Sequence, residues 1–192
     1  MNLHQLSVKL FLAGGARIDQ DALIPVFHRW IRDGVLDERL LIDVADYRHV
    51  FQGPGIMLIA HDAHYGLDEE DGEAGLLYSR KRDALGDAGD KLRDAFGKAL
   101  AACERLEAEP DCKPLTFRGD RAHVRVNSRQ VADNSEASFA ELLPHLEALA
   151  GALYPGEPIE IRHVGDPRAP LSAELRAAAD PGITALRVRL AS

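Results

Sequence analysis

The order of two apolar patterns along the chain constrains its fold most strongly. Apolar residues at every second position, as over residues 6–12, predict a half-buried β-strand. Apolar residues spaced three and four apart, as over residues 23–31, predict an amphipathic α-helix. Read in this way, residues 5–82 contain a strand, a helix and three further strands. The later strands are predicted at residues 40–47, 56–64 and 76–82, and a long helix follows at residues 87–109.

The same order of elements recurs between residues 122 and 190. A short strand is predicted on each side of Gly119-Asp120, which has the form of a two-residue hairpin turn, and a last strand is predicted over residues 186–190. Ala-Leu-Ile-Pro at 22–25 matches Glu-Leu-Leu-Pro at 141–144, and Arg-His-Val at 48–50 recurs at 162–164. These matches predict an internal duplication. The alternative is that two similar runs arose by chance.

The predicted fold class is therefore α+β, within one domain that spans residues 1–192. It consists of two pseudo-repeated β-α-β-β-β halves, at about residues 5–82 and 122–190, joined by the long helix. The sheet is expected to be mostly antiparallel with its helices on one face. This layout resembles the duplicated effector-binding domains of the gyrase-inhibitor-like class, in topology and without a shared sequence motif. A groove between two halves is a common position for a ligand.

Composition excludes several classes of protein. Apolar residues make up 46% of the 192-residue chain and charged residues 28%, as in ordinary soluble domains. The formal net charge of −8 argues against binding to nucleic acid. No apolar run approaches the length of a membrane span, and the 2 cysteines do not form the framework of a secreted protein. We therefore expect a soluble, cytoplasmic, acidic protein with no membrane partner.

The densest group of polar side chains lies on the predicted hairpin of strands 40–47 and 56–64. A turn near Gln52 or Gly53 would place Asp43 roughly opposite His61. Imidazole and carboxylate groups suit a divalent metal, so Asp43 and His61 are the candidate metal ligands. The candidate catalytic residues for proton transfer are Asp43, Asp46, His61 and His64. The alternative is a solvated hairpin face with a few His–Asp hydrogen bonds.

A basic segment at residues 79–82 offers a second place for a ligand. Arg80 in this segment, together with Arg48, could receive a phosphate or carboxylate group. The candidate ligand-binding residues are Arg48, His49, Tyr65 and Arg80. The alternative is a charge cluster that protects the edge of the sheet.

Three functions follow from these features. The first is a binding protein that holds a small molecule or a partner subunit in the groove between the halves. The second is an enzyme that uses the Asp43/His61 cluster, with or without a divalent metal, for proton transfer or hydrolysis. The third is a structural subunit, for which a homo-oligomer is one arrangement. The sequence identifies neither the ligand nor a cofactor.

Overall fold

The fold is α+β, with four helices and an eight-stranded sheet in the described part of the chain. A computed structural model describes residues 1, 3–14, 19–50, 54–69 and 72–192. The strands are β1 (Leu6–Leu12), β2 (Leu41–Asp46), β3 (Ile56–Ala60), β4 (Ala63–Asp68), β5 (Gly75–Arg80), β6 (Phe117–Val126), β7 (Ile159–Val164) and β8 (Leu171–Ala177). The helices are α1 (Gln20–Asp33), α2 (Ala88–Ala108), α3 (Glu136–Leu153) and α4 (Ile183–Ala191).

All eight strands belong to one sheet, in the order β2-β3-β4-β5-β1-β6-β8-β7, and each neighbouring pair is antiparallel. Strand β1 lies at the centre between β5 and β6. Because of this position, all 7 residues of β1 are buried, and the expectation of a half-buried strand is corrected. Strands β2 and β7 form the two edges.

The strand register separates the sheet into an apolar face and a polar face. Val8, for example, is paired on one side with Tyr78 and on the other with Val124, and all three are fully buried. The buried residues of all four helices belong to the same core cluster as these strand residues. The helices therefore pack against the apolar face, as expected. None of the described helices has the length and apolar character needed to cross a membrane.

Helix α2 confirms the helix predicted over residues 87–109. Asp87 caps its first turn, where the Asp87 side chain accepts from the Asp90 N–H and the Asp90 side chain accepts from the Asp87 N–H. Ala95, Phe96 and Ala99 lie fully buried on its apolar side.

The predicted strand over residues 56–64 is two strands. Strand β3 ends at Ala60, His61 and Asp62 form the turn, and β4 begins at Ala63. The apolar-polar alternation does not change at a tight turn of this kind, so periodicity alone could not locate it.

The predicted hairpin at Gly119-Asp120 is wrong. Both residues lie within the continuous strand β6. Glycine is required at position 119 because a Cβ there would lie 2.7 Å from Asp180 Oδ1 and 2.8 Å from the Gly182 nitrogen. The Gly119 N–H donates to Asp180, so the residue marks a close approach of the chain and not a turn.

The predicted last strand, residues 186–190, is also wrong, because this segment belongs to helix α4. Ile183, Leu186 and Leu190 are buried, at the spacing of a helix face, whereas Val188 is exposed. Five residues in which apolar positions alternate fit a short strand or part of a helix equally well.

Candidate functional site

The polar face of the sheet concentrates buried hydrophilic side chains in one place. Successive strand residues point to opposite faces, so the residues that alternate with the core residues project away from the helices. Burying polar groups is costly unless they are bonded or serve a function. The buried polar residues on this face are Ser7, Lys9, Asp68, Ser172 and Glu174.

Lys9 lies at the centre of the polar face and is only 2% exposed. Its Nζ donates to Asp68 Oδ2 at 2.6 Å. The side chain passes over Gly75, where a Cβ would lie 3.1 Å from Lys9 Cγ and Cε. The absence of a side chain at Gly75 thus gives the lysine its path to the carboxylate.

Glu174 on β8 accepts hydrogen bonds from three guanidinium groups. Arg121 donates to Oε1, Arg162 donates to Oε2 at 2.6 Å, and Arg176 donates to Oε1 at 3.1 Å. Burial alone would raise the pKa of Glu174, but the hydrogen bonds from the arginines outweigh burial and lower this pKa to about 2. Glu174 is therefore ionised at neutral pH and holds the three arginines together.

Arg121 links this cluster to the centre of the sheet. Its guanidinium carbon lies 4.1 Å from the centroid of the Phe11 ring, and Nη1 donates to Glu73 at 2.6 Å. A guanidinium that stacks on a ring and bonds to two carboxylates has a fixed orientation.

Hydroxyl and amide groups form the next row of the polar face. The Ser7 hydroxyl donates to Ser79 Oγ at 2.9 Å, and Asn127 Nδ2 donates to Ser7 Oγ at 2.7 Å. His64 is the cross-strand neighbour of Ser79. Burial, and then the charge of Lys81, lower the pKa of His64. Within the described residues, His64 Nδ1 is buried without a hydrogen-bond partner.

The charges of the polar face differ from those of the whole chain. Around Lys9 and Glu174, five cationic side chains of this face lie among four carboxylates, whereas the chain as a whole carries a net charge of −8. Arginines held in place by a buried carboxylate are suited to bind oxyanions through their remaining N–H groups. The cations are Lys9, Arg121, Arg125, Arg162 and Arg176, and the carboxylates are Asp68, Glu73, Glu160 and Glu174.

The predicted pairing of Asp43 with His61 is wrong. Asp43 is paired with Ile59, two residues away from His61, in the same regular register that pairs Val44 with Leu58 and Asp46 with Ile56. His61 lies beyond the end of β3, where its N–H donates to the Leu40 carbonyl. The proposed turn residues Gln52 and Gly53 lie outside the described residues.

The other residues of the predicted hairpin cluster are divided among three places. His61 Nδ1 lies 2.8 Å from Asp62 Oδ1, at the turn between β3 and β4. Burial raises the pKa of Asp62, but the contact with His61 and nearby charges outweigh it and lower this pKa overall. His64, on β4, projects from the polar face.

Asp46, Arg48 and His49 lie at the far end of β2 and are exposed. Arg48 binds both oxygens of Asp46, at 2.9 and 2.6 Å, and also Asp21 at 2.6 Å. Its side-chain and backbone hydrogen bonds lower the pKa of Asp46 to about 2. The His49 ring stacks on that of Tyr47 at 6.5 Å. The guanidinium N–H groups of Arg48 thus already bind carboxylates of the same chain.

Tyr65 and Arg80 lie on the opposite, helix-covered face of the sheet. The Tyr65 hydroxyl donates to Glu38 Oε1 at 2.5 Å, and Arg80 forms an ion pair with Asp94 on α2. The two predicted residues are neighbours through Tyr78, whose ring lies 5.1 Å from that of Tyr65. Arg48 and His49, predicted for the same ligand, do not share this location.

In the described ranges, no three His, Cys, Asp or Glu side chains form a group that could hold a metal ion. The roles assigned to Asp43, Asp46, His61 and His64 remain predictions. Lys9, Arg121 and Glu174 were not among the residues predicted for a site. The sequence held one signal for them. Each is a charged residue that alternates with apolar residues along a strand.

Comparisons with protein-family models, with curated proteins and with solved structures find no match to this chain.

Proposed function

We propose that this chain is a binding protein whose ligand is a small molecule carrying an oxyanion, a phosphate or carboxylate group, bound on the polar face. The observation that carries the proposal is the convergence of Arg121, Arg162 and Arg176 on Glu174, which is 4% exposed. The seam between β1 and β6 lies beside this cluster and is the proposed groove between two pseudo-repeat halves.

The sheet topology supports the division into halves. In the first half, β1 is followed by a helix, an edge strand and strands that return until β5 pairs with β1. In the second half, β6 is followed by a helix, an edge strand and β8, which pairs with β6. The leading strands β1 and β6 are antiparallel neighbours, as a pseudo-two-fold axis requires. Helix α2 would then be the connection between the halves.

The arginines supply the chemistry for binding. Arg162 and Arg176 are about half exposed, and each donates one Nη2 group to Glu174. A guanidinium has about five N–H donors in a fixed fork, so donors remain for a ligand. Glu174 fixes the position of these forks before the ligand arrives, which reduces the entropy lost on binding.

A titration with inorganic phosphate tests this proposal. Amide and arginine Nε–H resonances are recorded by NMR at constant ionic strength, with chloride as the competing salt. We expect saturable shifts around Glu174 that weaken at least about tenfold in Arg162→Gln or Arg176→Gln. Arg168→Gln is the matched control, because Arg168 is exposed and lies in the loop between β7 and β8. Equal binding by all variants, or no saturable shift in the natural protein, would contradict the proposal.

A partner subunit is the second candidate, favoured by the β2 edge of the sheet. Leu40 and Ile42 are 56% and 50% exposed, and Tyr47 and Val50 nearby are exposed as well. Residues 40–47 contain neither lysine nor proline, which commonly protect edge strands from pairing. Sedimentation of the natural protein and of Ile42→Lys tests this candidate.

A further inference from the structure

A cavity of about 280 Å³ lies on the helix side of the sheet, away from the polar face. Its walls come from the segment that follows α1, from β4, from α2 and from α4. Leu36, Tyr65 and Leu190 provide apolar surface, and each is itself at least nine-tenths buried. The cavity is thus a depression between packed elements rather than a feature of one loop.

Gly97 on α2 keeps the cavity open. A Cβ at this position would have only one neighbour within 4 Å, Leu190 Cδ2 at 3.8 Å. Glycine in the middle of a helix costs about 1 kcal/mol relative to alanine. Tight packing does not require it here, so a larger side chain at position 97 would occupy the cavity.

The charges around the cavity single out Arg93. Its Nη1 donates to the backbone carbonyl of Leu190 at 2.7 Å and not to a carboxylate. The other two cations of the lining have carboxylate partners: Lys98 binds Asp37, and Arg187 binds Glu104. Of the three cations that line the cavity, Arg93 is therefore the one that donates its hydrogen bond, within the described residues, to an uncharged group.

Behind the cavity wall lie two buried polar atoms without partners. Tyr78 packs on Tyr65, and Arg80 pairs with Asp94, a residue of the lining. In the described part of the chain, the Tyr78 hydroxyl and Arg80 Nε have no hydrogen-bond partner, and Arg80 is itself more than nine-tenths buried. Unpaired buried donors are costly, but neither residue lines the cavity, so the proposal below rests on the lining itself.

We propose that this cavity is a second binding site, for a small aromatic or aliphatic acid. The apolar body of the acid would lie against Leu36, Tyr65 and Leu190, and its acidic group would lie near Arg93. The site is on the opposite side of the sheet from the oxyanion site, so the two proposals stand independently.

The test uses 8-anilinonaphthalene-1-sulfonate, a fluorescent aromatic sulfonate, titrated against the full chain. Gly97→Leu fills the cavity. Gly151→Leu is the matched control, because Gly151 lies exposed on α3 and a Cβ there would meet nothing within 4 Å. Both substitutions exchange a helical glycine for leucine, so their effects on helix propensity are alike. Arg93→Gln removes the cation and keeps a polar side chain at this position.

We expect one equivalent of the dye to bind to the natural protein and to Gly151→Leu. Binding should weaken at least about tenfold in Gly97→Leu and several-fold in Arg93→Gln, with unchanged circular dichroism. Equal affinity of Gly97→Leu and Gly151→Leu would overturn the proposal. A loss of binding in Arg162→Gln but not in Gly97→Leu would also overturn it, because the dye would then occupy the polar face.

Discussion

Lys9 and Asp68 form an ion pair in the centre of the sheet, on strands that are not neighbours. Lys9 on β1 reaches over β5 at Gly75 and donates to Asp68 on β4 at 2.6 Å. The lysine side chain is 2% exposed and the aspartate side chain 12%. Screening by water is weak at such burial, so each charge depends on the other.

Replacing Lys9 with methionine should destabilise the protein strongly. The substitution preserves much of the side-chain volume but removes the ammonium group that donates to the buried Asp68 carboxylate. Breaking a buried pair in this way costs about 3–5 kcal/mol. Urea unfolding measures the change in the free energy of unfolding.

Two comparisons make this prediction specific. Lys113→Met, at an exposed loop position, should change stability by less than about 0.5 kcal/mol. The double variant Lys9→Met/Asp68→Leu should recover much of the loss, because both charges are removed together. A loss of less than about 1 kcal/mol in Lys9→Met would show that the pair contributes little.

Glu174 should make stability depend on acid pH. Its pKa in the folded protein is about 2, against an ordinary value of 4.5. A lowered folded pKa contributes stability that is fully present above the unfolded pKa and lost as pH falls from about 4.5 to about 2. The shift corresponds to roughly 3 kcal/mol.

The measurement compares the natural protein with Glu174→Gln by urea unfolding at a series of pH values. The difference in unfolding free energy should be constant above about pH 5 and shrink towards pH 2, where Glu174 becomes protonated. Glu157→Gln, at an exposed position, serves as the control and should show no such trend. A difference that does not change with pH would contradict the assigned role of Glu174.

Two buried tyrosines should respond in opposite ways to loss of their hydroxyl groups. Burial raises the pKa of both Tyr65 and Tyr78, so both stay protonated donors at neutral pH. Tyr65 donates to Glu38, whereas the Tyr78 hydroxyl has no partner within the described residues. Tyr65→Phe should therefore cost about 1–3 kcal/mol. Tyr78→Phe should be neutral or stabilising, since it removes an unpaired polar group.

Thermal and urea unfolding of the two variants provide the comparison. Each variant serves as the control for the other, because both lose the same atom from neighbouring rings. Equal destabilisation of the two would show that Tyr78 has a partner in solution, such as a bound water molecule.

The fold class was predictable because it depends on patterns within single elements. The alternation in β1 and the helical spacing in α1 and α2 each specify one element, and these elements are confirmed. The segment at residues 186–190 failed because its alternation is too short to distinguish the two periods. Gly119 failed because the reason for glycine lies some 60 positions further along the chain, at Asp180.

The polar face could not be predicted for a related reason. Lys9, Arg121 and Glu174 come from three different strands, and only the strand order brings them together. The expected pair of Asp43 and His61 relied on a hairpin register that differs by two residues from the register of the structure, in which Asp43 pairs with Ile59. Of the residues predicted for sites, Tyr65 and Arg80 do lie together, because they come from the paired strands β4 and β5.

The exposed edge strand β2 gives a prediction about assembly. Leu40 and Ile42 are 56% and 50% exposed at this edge, whereas Val44, beyond the register shift between Leu41 and Asp43, packs against the core. Antiparallel pairing of two copies about Ile42 would bring the exposed Ile42 side chains of the two copies together. Such a contact is the same on both subunits and closes as a two-fold dimer.

We therefore expect the protein to sediment as a dimer, and Ile42→Lys to sediment as a monomer. Lysine at this position would introduce a charge into the apolar contact and oppose edge-to-edge pairing. Val188→Lys is the control, because Val188 is also exposed but lies on α4, and this variant should remain a dimer. Sedimentation velocity measures the oligomeric state of the natural protein and of the two variants. A natural protein that sediments as a monomer, or a dimer that survives Ile42→Lys, would show that β2 is not the contact between subunits.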